Sequence, residues 1–164
     1  MAGNSTSERG ARVIYIPPPL YYVAAVVGGM ALNSVVPLPI GGRPATEIAG
    51  VVIVALGLTF AWCGVGAVIR HRTTIVPHRP VSTLITTGVY RVSRNPMYTG
   101  LAVAALGLGL LVNSWWPIAL LPVAIALVLR LVIEPEERYL TERFGQSYLD
   151  YRGRVGRWLG RAAH

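Results

Sequence analysis

Apolar residues run along this chain in long blocks, without the strict alternation of a half-buried strand. Four blocks stand out, roughly 18–36, 48–69, 97–112 and 115–133. About 20 apolar residues are needed to cross some 30 Å of bilayer hydrocarbon, so each block predicts a membrane-spanning helix. The second is the cleanest. The first is interrupted by Pro19 and Asn33, and the third is short unless Tyr98 sits in the interface. Pro17-Pro18-Pro19 cannot lie within a helix but suits the entry to one, so it marks where the first span begins. Residues 33–46 carry Asn33, Pro37, Pro39, Gly41, Gly42 and Pro44, breakers that predict an irregular loop, with Thr46 placed to cap the second span. Asn113-Ser114 predicts a tight turn, flanked by the interfacial aromatics Trp115 and Trp116. Spans three and four are therefore expected to form an antiparallel hairpin.

Beyond Pro135 the pattern changes. From Glu136 to about Arg152, Leu140, Phe144, Tyr148 and Tyr151 recur at helical spacing among charged positions. This predicts an amphipathic helix, lying on the membrane or folding back over the 70–96 connection. Trp158 and Leu159 add a further interfacial anchor. Within the spans, Gly100-x-x-x-Ala104 and Ala105-x-x-x-Gly109 supply small-residue faces that let helix backbones approach closely in lipid. The expected fold is all-α: a polytopic membrane protein of about four spans, with a C-terminal helical hairpin and an amphipathic tail helix. A single domain is expected over 1–164, with 1–16 a flexible tail and 18–69 the first two spans.

Composition agrees: 53% of residues are hydrophobic and 13% charged, with mean hydropathy +0.51. The 15 basic residues are all arginine, and their placement sets an orientation. Arg9 and Arg12 precede span one, and Arg43 alone lies between spans one and two. Arg70, Arg72, Arg79, Arg91 and Arg94 fill the next connection, and Arg138, Arg143, Arg152, Arg154, Arg157 and Arg161 follow span four. With an even number of spans, the positive-inside rule puts both termini and the 70–96 connection in the cytoplasm. A cleaved signal peptide ending near Ala31-Leu32-Asn33-Ser34 would leave three spans and spoil that agreement. The net charge of +8 flanks spans and is interleaved with acids, which favours anionic lipid headgroups over nucleic acid. Cys63, the one cysteine, predicts a small packed residue in span two. His71, His78 and His164 show no helical pairing, so no metal site is expected.

Chemistry concentrates in three clusters. Arg91, Arg94, Asn95 and Tyr98 stand where Pro96 can start a helix and free backbone donors can face an anion. Glu134, Glu136 and Glu137 follow span four on the same side, and Tyr148, Tyr151, Arg152, Arg154 and Arg157 lie on the tail. The 70–96 connection is long for a small domain, as functional loops are.

Residues 86–100, TTGVYRVSRNPMYTG, followed after the hairpin by Glu136-Glu137-Arg138-Tyr139-Leu140 and by residues 144–155, FGQSYLDYRGRV, resemble the isoprenylcysteine carboxyl methyltransferase and phospholipid methyltransferase family of integral membrane enzymes. The resemblance covers roughly 75–158. It implies a cytosol-facing pocket for S-adenosylmethionine within a 70–158 core, and a lipophilic methyl acceptor entering from the bilayer. On matching positions it implies Gly88, Val89, Tyr90, Arg94, Asn95, Pro96 and Tyr98 at the cofactor, with Glu136 and Glu137 reaching it from the other side. Many members have His at the position of Asn95, and a proline where Gly156 precedes Arg157-Trp158, a difference that predicts a looser last turn here.

Methyl transfer from a sulfonium is a direct displacement, for which in-line positioning is the main requirement. A cationic donor gives Glu136, Glu137 and the faces of Tyr90 and Tyr98 a purpose, and its carboxylate calls for Arg94. A carboxylate acceptor needs no base and could be oriented by Arg154 or Arg152. An amine or hydroxyl acceptor must lose a proton, for which His78, in the loop facing the cofactor, or a carboxylate is the candidate. The expected catalytic set is Arg94, Glu137 and Arg154. Two other classes compete: a membrane steroid reductase using NADPH, and a non-enzymatic scaffold in which the glycine faces and arginines serve assembly alone.

Overall fold

The computed structural model describes residues 16–71 and 83–161. The helices are α1 (Pro19–Val35), α2 (Ala45–Arg70), α3 (Pro96–Leu111), α4 (Trp115–Val128), α5 (Glu134–Phe144) and α6 (Gln146–Arg154). A short 3-10 turn, Gly88–Arg91, precedes α3, and a π-helical turn, Leu129–Ile133, joins α4 to α5. No strand is present among the described residues. All four expected spans appear as helices. Two runs, Ala45–Arg70 and Trp115–Phe144, are long and apolar enough to cross a membrane, whereas α1 and α3 are shorter apolar helices.

The fourth helix continues through Pro135. The Glu134 N–H bonds the Leu129 carbonyl, a five-residue reach that widens the helix one turn ahead of the proline. The widened turn accommodates the ring and its missing donor, so Trp115–Phe144 runs as one helix of 30 residues. The break comes instead at Gly145, with φ 53° and ψ −127°. Thr46 does not cap α2 either: the helix starts at Ala45, and the Thr46 hydroxyl donates to the Gly41 carbonyl at 3.1 Å.

Two antiparallel seams build the bundle. In one, Gly50, Gly57 and Gly64, seven residues apart on α2, face α3, the first two backbone to backbone and Gly64 against the Pro96 and Met97 side chains. A Cβ on Gly57 would stand 2.5 Å from the Ala104 nitrogen, and one on Gly100 would stand 2.5 Å from the Ala61 nitrogen. The Gly100–Ala104 face expected from sequence thus packs on α2, while Gly109 meets Ile118 of α4. In the other seam α1 lies along α4, with Gly29 against Pro117 and Tyr22 packed with Val128, Val132 and Ile133. Helix α3 joins the two seams.

The bundle therefore has a turn end, carrying residues 36–44 and 112–114, and a basic end, where α1 and α3 begin. At the turn end, Asn33 Oδ1 accepts from the Leu38 N–H and the Ser114 hydroxyl, both at 3.0 Å, and Asn113 Oδ1 accepts from the Gly41 N–H at 2.9 Å. Ser114 Oγ in turn caps α4 at the Trp116 N–H. The breaker-rich loop is irregular, as expected, yet tied to the hairpin turn. Cys63 is exposed, contrary to the packed position expected, because α2 packs through its glycine face and turns Cys63 away from it.

Candidate functional site

At the basic end, the chain before α3 is folded tightly enough to aim its side chains inward. Gly88 takes φ 59°, which favours glycine, and starts the 3-10 turn. The Val89 carbonyl accepts from the N–H groups of Val92 and Ser93. Fully buried Ser93 accepts from the Asn95 N–H at 3.0 Å and pairs with Thr99 at 3.2 Å. Pro96, buried at the first turn of α3, gives up no needed donor. This places Arg94 and Tyr98 on the inner side of the turn and leaves Arg91 exposed.

The tail closes over this turn. Arg94 N–H donates to the Gly156 carbonyl at 3.0 Å, Gly160 N–H to Val92 at 2.9 Å, and Gly156 N–H to Gly160 at 2.7 Å. A Cβ on Gly156 would meet the Leu159 carbonyl at 2.9 Å, so this glycine belongs to a tight turn and the expected loosening is absent. Asn95 Nδ2 donates to the Arg157 carbonyl at 3.1 Å; its amide holds the tail. Helix α6 packs inward too: Tyr148, Tyr151 and Val155 form a cluster with Leu84, Tyr90, Leu140 and Phe144, and the Tyr151 hydroxyl donates to the Tyr90 carbonyl at 2.6 Å. Of the two placements open from sequence, the amphipathic segment takes the fold-back.

Glu137 is the centre of the site. Its Oε1 lies 2.9 Å from Arg94 Nη1, and Arg157 binds both carboxylate oxygens, Nε to Oε1 at 3.0 Å and Nη2 to Oε2 at 2.8 Å. The Arg94 and Glu137 side chains are only 8% and 9% exposed. One buried carboxylate shared by two guanidiniums leaves a net positive charge, and hydrogen bonding to Glu137 raises Arg157 above its ordinary value. Arg94 Nη1 also donates to Tyr148 Oη at 3.2 Å, while Arg94 Nε is buried with no partner among the described residues. One turn away, Tyr98 Oη donates to Glu136 Oε1 at 2.8 Å. Glu136 lies beyond the apolar span, and its carboxyl is pushed up to about 7, chiefly by desolvation, with the Tyr98 hydrogen bond opposing and Glu137 adding to the rise. Burial, with Glu136 nearby, also lifts Tyr90 to about 12.

Beside Tyr98 a cavity of about 690 Å³ opens between the start of α1 and the second half of α2, lined by apolar side chains such as Pro18, Leu58, Trp62, Met97 and Leu101. Trp62 is 74% exposed at its edge. Tyr98 thus belongs to both an apolar cavity and a polar cluster.

The structure gathers Tyr90, Arg94, Asn95, Pro96, Tyr98, Glu136 and Glu137, all expected from sequence, with Gly88 and Val89 shaping the turn. Two of the expected residues are placed apart from a free position in the site. Arg154 is exposed, and its Nε donates to the Asp150 carbonyl of its own helix at 3.2 Å; Arg157, three residues on, reaches inward because α6 ends at Arg154. Glu137 has both oxygens engaged by arginine. His78 lies outside the described residues. Ser93 and Thr99 were not among the expected residues, and Tyr148 and Arg157 stood only in the tail cluster; the pairing of Arg157 with an acid 20 residues earlier has no local sequence signal.

A family model described as phospholipid methyltransferase matches residues 45–147, more than half of the chain. The chain is also similar to the cobalt-zinc-cadmium resistance protein CzcN of Cupriavidus metallidurans, 38% identical over 66 residues. That match covers 40% of this chain and 31% of the relative, so the chain spans under a third of that protein's length. With its apolar helices and its paired motifs brought together at one end, the chain is an integral membrane protein that belongs to the phospholipid methyltransferase family.

Proposed function

We propose that the protein transfers a methyl group from S-adenosylmethionine to a lipophilic acceptor at the cytoplasmic face of the membrane, with both termini on that side. One observation carries the cofactor assignment: Arg94 Nε is buried, has no partner among the described residues and is part of a cluster with net positive charge. A buried donor left unpaired costs about 1–3 kcal/mol, and the cofactor's carboxylate would satisfy it. Glu136 and the faces of Tyr90 and Tyr98 would then meet its cationic portion. When bound, the cofactor supplies an electrophilic methyl on a sulfonium and a neutral thioether as leaving group. Glu137 and Arg157 fix Arg94, and the tail keeps water from the cluster. The cavity beside Tyr98 suits an apolar acceptor arriving from lipid.

Titration of the purified protein in lipid nanodiscs with S-adenosylhomocysteine and, separately, NADPH tests this. Saturable binding of the first and none of the second is expected. The reverse preference would move the protein to the reductase class, and binding of neither would favour a scaffold.

A further inference from the structure

The tail turn that closes the site has an outward face as well. Gly160 N–H donates to the Val92 carbonyl at 2.9 Å, which sets Arg91 and Val92, ahead of α3, beside Leu159 and Arg161 of the tail. All four are exposed, Val92 by 47% and Leu159 by 60%. Arg94 and Arg157, from the same two segments, turn inward and are engaged with Glu137. Arg91 and Arg161 have no ion pair among the described residues. Residues 83–95 and 155–161 contain no Asp or Glu, so the charges of this face are all positive.

The height of the turn in the bundle decides what reaches it. Trp158 packs on the apolar cluster shared by α1, α3 and α4, and its carbonyl lies 3.4 Å from Thr99 Oγ1 in the first turn of α3. That is the level where an apolar helix gives way to charged chain, the bilayer surface. In water, Val92 and Leu159 would stay uncovered; in the interface, acyl chains meet them and headgroup phosphates meet the arginines. A zwitterionic headgroup brings its own ammonium towards two guanidiniums. An anionic headgroup brings only the charge they lack.

We propose that this face binds an anionic phospholipid headgroup, and that binding latches the tail over the site. Arg91 and Arg161 lie on separate segments and come together only when the tail is docked. A headgroup held by both therefore binds the docked form better than an open one and shifts the population towards it. Docking puts Arg157 on Glu137 and the Gly156 carbonyl on the Arg94 N–H, so the lipid steadies Arg94 from outside the site. The consequence for nucleotide affinity rests on the methyl-transfer reading above; the latch itself rests on the tail geometry alone.

The full chain is placed in nanodiscs of phosphatidylcholine alone and of equal parts phosphatidylcholine and phosphatidylglycerol. Amide hydrogen exchange is followed, without nucleotide, in peptides covering 92–94 and 156–160. Exchange of both should slow in the anionic discs by about fivefold, the effect of one arginine at an anionic surface. Arg91→Gln and Arg161→Gln should each reverse the slowing while keeping the wild-type unfolding midpoint in phosphatidylcholine. S-adenosylhomocysteine affinity should rise with the same lipid and lose that dependence in the same variants. Inorganic phosphate added to phosphatidylcholine discs should change nothing, since it offers no acyl chain to Val92 and Leu159. Exchange that ignores lipid charge, slowing that survives both substitutions, an equal effect of inorganic phosphate, or nucleotide binding indifferent to the lipid overturns the proposal. Lipid-dependent exchange through Arg91 and Arg161 with no S-adenosylhomocysteine binding in any disc overturns the cofactor assignment and leaves the latch standing.

Discussion

The two ends of the bundle are held in opposite ways. At the turn end, Asn33, Asn113 and Ser114 bond to the neighbouring loop and to one another. At the basic end a carboxylate and two arginines are drawn together with four tyrosines, and three buried polar atoms there, Tyr21 Oη, Tyr22 Oη and Arg94 Nε, have no partner among the described residues. Buried polar groups are normally paired. One end is finished as structure; the other is arranged around groups that a ligand would complete.

The largest expected effect comes from breaking the basic end at its centre. Glu137→Gln leaves two guanidiniums sharing a neutral amide and should cost about 3–5 kcal/mol, seen as a lowered unfolding midpoint together with loss of S-adenosylhomocysteine binding. Next is Gly57→Leu, which forces a side chain into backbone contact with α3. Overpacking of this kind costs about 1–3 kcal/mol; the measurement is again the midpoint, and because α3 carries Tyr98 the nucleotide affinity should fall as well. Asn33→Ala removes an acceptor from two bonds at the turn end and should cost about 1 kcal/mol with nucleotide binding unchanged. Altered binding in that variant would show the two ends to be coupled.

A pH dependence separates the two ends in another way. Glu136 titrates near 7 in the folded chain against an ordinary value of 4.5, so the folded state holds a proton that the unfolded chain has released. Stability should decline as pH rises from about 4.5 to about 7, and Glu136→Gln should remove that slope. Affinity for a cationic ligand runs the other way, improving as pH rises through 7 by no more than about tenfold.

The spans were legible because a membrane helix needs only a long apolar block, and the two motifs because their order and spacing are local. What was not legible depends on how distant segments meet. Pro135 should end a helix by its own geometry, but the π-turn before it absorbs the ring. Arg154 lies near the end of the motif and Arg157 just beyond it, and only the end of α6 decides which one turns inward. Cys63 and Gly64 are neighbours in an apolar block; which of them faces α3 depends on the seven-residue glycine register. Tyr22 sits in an ordinary apolar span, and the burial of its hydroxyl, with no partner among the described residues, arises only once α1 lies on α4.

The most direct test is the equilibrium affinity of the chain for S-adenosylhomocysteine in nanodiscs, compared with that of Arg94→Lys. Lysine keeps the charge that pairs with Glu137 but lacks the Nε donor. Saturable binding to the wild type, weakened about tenfold or more by Arg94→Lys with the unfolding midpoint little changed, is the predicted result. Equal affinity in the two proteins would contradict the placement of the nucleotide at Arg94.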